Sequence, residues 1–140
     1  MAARVERTFE LDAPPETVWE FIADPANRAA AISVVEDYEI DGTSAVWHIR
    51  IPVPLIRRTV RVETRDVERD PPRFVRFVGR SKAMRVSGEH EVAAMDGGSR
   101  LRNLFVVEGR IPGVETFFRR NLDDELGNLE RNLNAYIDDR

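Results

Sequence analysis

The hydrophobic period of the chain changes near residue 110, and this change limits the folds that the chain can adopt. From Val34 to Gly109 apolar residues recur at every second position between turn residues, as they do in strands with one buried face. After Ile111-Pro112-Gly113 the period becomes that of a helix and stays so to the end. The sequence therefore predicts a run of strands followed by one long amphipathic helix.

Turn residues divide the middle of the chain into about six predicted strands. These strands span 34–40, 44–51, 59–68, 73–80, 84–95 and 99–109, and a further strand precedes them at 4–11. Successive hairpins favour an antiparallel meander, because parallel strands need long crossover connections. Two short helices, one after Pro14-Pro15 and one in the alanine-rich stretch 26–32, are predicted between the first strand and the others.

The segment 114–138 is predicted to form a helix about 37 Å long at roughly 1.5 Å per residue. Its apolar stripe comprises Val114, Phe118, Leu122, Leu126, Leu129, Leu133, Tyr136 and Ile137. We expect Gly127 and the run Asp123-Asp124-Glu125 on the solvated side. A sheet with one apolar face buries both surfaces if it curves around this helix. We therefore predict a single α+β domain over 1–140 with a helix-grip fold, in the order β-α-α-β6-α.

Composition argues against several classes of function. The chain has no cysteine, and its two histidines lie on different predicted strands, so we expect no metal site. A net charge of −4 argues against a nucleic-acid partner. The N-terminus lacks the apolar core of a signal peptide, and no stretch approaches the roughly 18 apolar residues of a membrane span. We expect a cytoplasmic protein without stable membrane insertion and without a cofactor.

Several local strings, taken in order, resemble the START/Bet v 1-like (SRPBCC) superfamily, especially its polyketide cyclase/dehydrase and lipid-transport branch. The matching strings are APPETVWEFIADP after the first strand, the turn ERDPPRF and the turn DGGSRLR, followed by the terminal helix. The resemblance implies a cavity between sheet and helix that holds a small apolar molecule. It implies no shared set of catalytic residues, so no catalytic residue is predicted.

Strand alternation and the helical stripe identify the side chains expected to face such a cavity. The predicted ligand-binding residues are Tyr38, Trp47, Val62, Thr64, Phe77, Met84, His90, Asn103, Phe105, Phe118, Leu122 and Leu126. Most are apolar and would also serve as ordinary core. The four polar members either hydrogen-bond one another or water, or they orient one polar end of an apolar ligand.

His90 is the polar residue that we expect to touch ligand. It lies in phase with Val86 and Val92, and Gly88 is expected to leave room beside it. Burial would keep its imidazole neutral, with one donor and one acceptor for a hydroxyl or carbonyl. His48, in contrast, is expected on the outer face of the sheet.

The connection 52–58 (PVPLIRR) carries three apolar side chains, Val53, Leu55 and Ile56. Apolar residues on a loop can mark a ligand gate, a transient membrane contact or a dimer contact. Alternatively, the loop folds over the open end of the cavity as core. The oligomeric state is left open.

Three classes of function follow from these features. The leading hypothesis is a binding or carrier protein for a small apolar molecule such as a lipid, a quinone or a polyketide-like compound. The first alternative is a cyclase or dehydratase acting on a polyketide-like substrate, which requires His90, Tyr38 and Asn103 to converge on one point. The second is a protein-interaction module that uses the 52–58 loop or the outer sheet face.

Overall fold

The computed structural model describes residues 2–139, and these residues form one sheet and three helices. The elements are β1 (Ala3–Leu11), α1 (Pro15–Ile22), α2 (Pro25–Ala30), β2 (Val35–Asp41), β3 (Ser44–Ile49), β4 (Val60–Asp70), β5 (Phe74–Arg80), β6 (Met84–Met95), β7 (Gly98–Gly109) and α3 (Val114–Asp138). This order confirms the predicted arrangement of one strand, two short helices, six strands and a long helix.

The sheet is antiparallel throughout, with the strand order β1-β7-β6-β5-β4-β3-β2. Strands β2 to β7 form the predicted meander, and β1 pairs with β7 from Ala3 opposite Val107 to Leu11 opposite Ser99. Strands β1 and β2 are therefore the two edges of the sheet. A register shift between Asp66 and Glu68 interrupts the β4–β5 pairing, as a β-bulge does.

Local chemistry explains where the helices begin. Helices α1 and α2 each start with a proline in the first turn, where the missing backbone N–H is not needed. The Asp24 side chain accepts a hydrogen bond from the Ala26 backbone N–H at 2.9 Å and so caps α2. Gly113 precedes α3 with φ of +95°, a left-handed conformation that glycine adopts without steric cost.

Helix α3 packs its apolar stripe against β1, β7 and α1. Leu122, Leu126, Leu129 and Leu133 are all buried, together with the inward-facing residues of the strands. At about 25 cal/mol per Å² of buried apolar surface, an interface of this kind contributes many kcal/mol, which exceeds the net stability of an ordinary domain. Helix and sheet therefore hold one another in place.

Two residues of α3 depart from the expected solvated surface. Gly127 is buried because Arg7 of β1 lies across it, and a Cβ at Gly127 would be 3.4 Å from Nη1 of Arg7. Glu125 is also buried, and its carboxylate accepts hydrogen bonds from the backbone N–H of Ser33 at 2.6 Å and from its hydroxyl at 2.7 Å. The prediction was wrong for both residues, because each meets a polar partner from a distant part of the chain.

Candidate functional site

The concave side of the sheet and the inner side of α3 bring the predicted ligand-binding residues together. Eleven of the twelve are buried, and Tyr38 is half-buried on the edge strand β2. The strand register agrees with the alternation predicted from the sequence. Trp47 lies opposite Val62 on the next strand. Phe77 has Asp66 and Gly88 opposite it on its two neighbouring strands. The structure thus places these residues on one continuous surface.

Aromatic rings fill the middle of this concave face. The ring of Phe77 lies 5.7 Å from Trp47, 6.2 Å from His90 and 5.9 Å from Phe105, measured between centroids. A Cβ at Gly88 would be 2.2 Å from Cε1 of Phe77 and 2.7 Å from Cε1 of Phe105. Gly88 therefore leaves room for these two rings, and the expectation that it leaves free space beside His90 was wrong.

His90 and Asn103 form a buried hydrogen-bonded pair across β6 and β7. Asn103 Nδ2 donates to the carbonyl oxygens of Arg7 at 3.1 Å and Leu101 at 3.3 Å, which leaves Oδ1 to accept from Nδ1 of His90 at 2.7 Å. Burial, with a smaller contribution from the charge of Arg28, lowers the pKa of His90 from 6.5 to about 3 against the opposing effect of the Asn103 hydrogen bond. The imidazole is therefore neutral at pH 7, with the proton on Nδ1 and a lone pair on Nε2.

Two polar atoms on the concave face are buried without a hydrogen-bond partner among the described residues. One is Nε2 of His90, which is an acceptor in this tautomer, and the other is Nε1 of Trp47, which is a donor. Leaving such an atom unsatisfied costs about 1–3 kcal/mol. The rings of both residues contact Phe77, so the unsatisfied acceptor and the unsatisfied donor belong to two neighbours of one phenyl ring.

The sequence interpretation missed a buried ion pair beside this cluster. Arg28 on α2 is only 4% exposed, donates to Asp66 Oδ1 at 2.5 Å and to the Ile22 carbonyl at 3.2 Å, and holds its guanidinium carbon 5.1 Å from the centroid of Phe77. Burial lowers the pKa of Arg28, and Asp66 opposes this shift. The available signal was that Arg28 is the sole charged residue between positions 25 and 33.

The other two polar candidates, Thr64 and Tyr38, make no contact with the His90–Asn103 pair among the hydrogen bonds and ring contacts of residues 2–139. The hydroxyl of Thr64 donates to the Ala45 carbonyl at 3.1 Å and is therefore satisfied internally. Tyr38 lies on β2, which three strands separate from β6, and no hydrogen bond or ring contact within residues 2–139 joins it to His90 or Asn103. The structure thus brings His90 and Asn103 together and does not connect Tyr38 to them.

Two hollows lie away from the concave face. A half-open groove of about 1020 Å³ crosses the outer side of the sheet and is lined by charged side chains such as Glu63, Arg65 and Arg76. A smaller hollow of about 320 Å³ lies between the β6–β7 turn and the end of α3. A ligand on the concave face would have to displace side chains that now contact one another there.

The outer face of the sheet and the 52–58 connection carry the remaining candidate residues. His48 lies on the outer face as expected, with Nε2 2.9 Å from Glu39 Oε2. Leu55 is 65% exposed, whereas Val53 and Ile56 are half-buried against the core. Within residues 2–139 no group of three histidine, cysteine, aspartate or glutamate side chains is arranged to hold a metal ion.

Comparisons with known proteins agree with this fold. A family model described as "Polyketide cyclase / dehydrase and lipid transport" matches residues 2–134. The fold is similar to a START superfamily protein from Mycobacterium smegmatis, with 12% identity, 97% of each chain covered and a TM-score of 0.75. It is also similar to the Zhui aromatase/cyclase from Streptomyces sp. R1128, with 20% identity, 94% of each chain covered and a TM-score of 0.67. A sequence search of curated proteins finds no match.

Proposed function

Because the chain belongs to the polyketide cyclase/dehydrase and lipid transport family, we propose that it binds a small, mostly apolar molecule with one polar end on the concave face of its sheet. The ligand would lie between strands β3 to β7 and helix α3, against the aromatic rings around Phe77. Sites of this kind combine an apolar lining with a few polar groups that fix the orientation of the ligand.

The observation that carries this proposal is the pair of unsatisfied atoms, Nε2 of His90 and Nε1 of Trp47. Nearly all buried polar side-chain atoms in proteins have a partner, so two exceptions on one surface are informative. A ligand hydroxyl would donate to His90, and a ligand carbonyl or ether oxygen would accept from Trp47. The ring of Phe77 contacts both residues and is the side chain that such a ligand would displace.

Binding is favoured over catalysis by the state of His90. A general base works best with a pKa near the operating pH, and the pKa of His90 is about 3. The neutral ring is suited to accept a hydrogen bond rather than to remove a proton. The cyclase hypothesis also needs Tyr38 near His90 and Asn103, and no hydrogen bond or ring contact within residues 2–139 joins Tyr38 to either of them.

The experiment uses two probes that differ only in a hydroxyl, 2-naphthol and naphthalene, with affinity measured by isothermal titration calorimetry. The protein should bind 2-naphthol more tightly than naphthalene. His90→Leu should remove this preference, which corresponds to a loss of about 1–3 kcal/mol in binding 2-naphthol, because the acceptor is gone. Trp47→Phe removes the indole N–H and should weaken binding of an oxygen-bearing probe such as 2-methoxynaphthalene.

The chain offers a matched control for each substitution. His48→Leu changes the other histidine, on the outer face, and Trp19→Phe changes the other tryptophan, on α1. Both controls should bind the probes as the unaltered protein does. The proposal fails if neither probe binds, or if the controls weaken binding as much as the concave-face variants do. Thermal melting of each variant separates a loss of affinity from a loss of folding.

A further inference from the structure

The basic residues of this acidic chain are concentrated at one end of the molecule. The segments 50–61, 80–85 and 110–120 together carry ten basic residues and one acidic residue, whereas the rest of the chain carries eleven basic and 24 acidic residues. We call these three segments the basic end. The net charge of −4 therefore conceals a local excess of positive charge.

The strand pairing brings the three segments together. Strand β4 begins where β5 ends, since Glu63 lies opposite Arg80, and β6 begins where β7 ends, since Met84 lies opposite Gly109. The backbone N–H of Arg110 donates to the Ala83 carbonyl at 2.8 Å. A Cβ at Gly113 would be 3.3 Å from Cγ1 of Val53, so the connection between β3 and β4 meets the start of α3.

Most of this positive charge is not neutralised within the protein. Arg50 pairs with Glu36 and Arg61 pairs with Glu63, both on the exposed surface. The other eight basic residues of the basic end form no ion pair with any residue in the range 2–139. The amino end of the 25-residue helix α3 adds a partial positive charge at the same place.

The same end also presents the most exposed large apolar side chain described in residues 2–139. Leu55 is 65% exposed in a turn closed by a hydrogen bond from the Ile56 N–H to the Val53 carbonyl at 3.1 Å. Arg57 and Arg58 follow after Ile56 and are exposed. An apolar side chain beside arginines suits a surface that is negatively charged outside and apolar just beneath.

We propose that the basic end docks on an anionic lipid bilayer, with Leu55 entering the headgroup region and the surrounding arginines contacting lipid phosphates and carboxylates. A nucleic acid would supply the negative charge but no apolar layer for Leu55. No helix of residues 2–139 is long and apolar enough to span a membrane, so the contact would be peripheral. This inference stands apart from ligand binding on the concave face.

The charge distribution would also orient the approach. The hollow at the opposite end of the molecule is lined by Glu10, Asp12, Asp96 and Asp138. A negative membrane surface attracts the basic end and repels this acidic end within about one Debye length, roughly 8 Å at physiological ionic strength. The protein would therefore meet the bilayer with Leu55 leading.

The test is co-sedimentation of the protein with vesicles of phosphatidylcholine alone and of phosphatidylcholine containing one third phosphatidylserine. We expect binding to the second kind only, weakened by added salt. Arg57→Gln/Arg58→Gln should lower the partition coefficient about 25-fold, because each arginine contributes a factor of about five. Leu55→Asp should lower it by about ten-fold or more, since an apolar contact is replaced by a charge.

Matched controls lie outside the basic end. Val67→Asp changes another exposed apolar residue, and Arg100→Gln/Arg131→Gln removes two exposed arginines from β7 and α3. Both controls should bind vesicles normally. The proposal is overturned if anionic vesicles bind no better than neutral ones or if the controls lose as much binding as the test variants. It is also overturned if immobilised polyglutamate binds the protein as tightly as the vesicles do and Leu55→Asp weakens neither interaction. Negative charge alone would then account for the binding.

Discussion

Mild acid should destabilise this protein through His90. The pKa of this residue is about 3 in the folded protein, against about 6.5 in an unfolded chain. The unfolded state therefore takes up the proton first, and the contribution of His90 to stability is complete above pH 6.5 and is lost progressively as the pH falls toward 3. The free energy of unfolding should fall by about 1.4 kcal/mol for each pH unit in this range. Between about pH 7.5 and about pH 5 the loss is about 2 kcal/mol.

Comparison with His90→Leu isolates this effect. Every other group that takes up a proton in this range is present in both proteins. The variant should be less stable at neutral pH by about 1–3 kcal/mol, because Asn103 loses its partner, yet its stability should fall less on acidification. Urea unfolding followed by tryptophan fluorescence at several pH values gives the free energy for each protein.

The decisive quantity is the difference between the two pH profiles. We expect the profiles to converge by about 2 kcal/mol from about pH 7.5 to about pH 5. Parallel profiles would refute the reasoning, since they would mean that His90 is charged equally easily in the folded and unfolded states. His48→Leu serves as the control for the loss of a histidine, because it leaves the buried His90–Asn103 pair in place.

Three further predictions concern packing. Arg28→Met should lower the free energy of unfolding by about 1–3 kcal/mol, because Asp66 stays buried and keeps only Arg69 as an ion-pair partner, and adding Asp66→Asn should restore part of the loss in a double-mutant cycle. Gly88→Ala should cost about 1–3 kcal/mol, because the new methyl group meets the ring of Phe77, and chemical denaturation measures the loss. Truncation after Gly113 removes α3 and should abolish cooperative thermal unfolding; a soluble product that melts cooperatively would contradict the packing described here.

The elements that follow from local pattern could be predicted closely from the sequence. The strand predicted at 84–95 is Met84–Met95, and the helix predicted at 114–138 is Val114–Asp138. Alternation, turn glycines and the apolar stripe are all local signals, and each element shows them without help from the rest of the chain. The same alternation also assigned His90, Asn103 and Phe77 to the concave face.

The features that depend on distant partners could not be predicted in this way. Arg28 is buried because α2 brings it to Asp66, a residue 38 positions away. Glu125 is buried because it receives Ser33. Charged residues are usually solvated, so pattern alone assigns them to the surface. The lack of a hydrogen-bond partner for Nε1 of Trp47 likewise depends on the packed interior, so no sequence pattern predicts it.

The position of β2 at the edge of the sheet bears on self-association. An edge strand offers unpaired backbone groups to another chain and can nucleate aggregation. The seven residues of β2, VEDYEID, include four acidic side chains, and two molecules that met edge to edge at neutral pH would repel one another. The acidic side chains of β2 therefore oppose self-association through an edge that would otherwise be open to pairing.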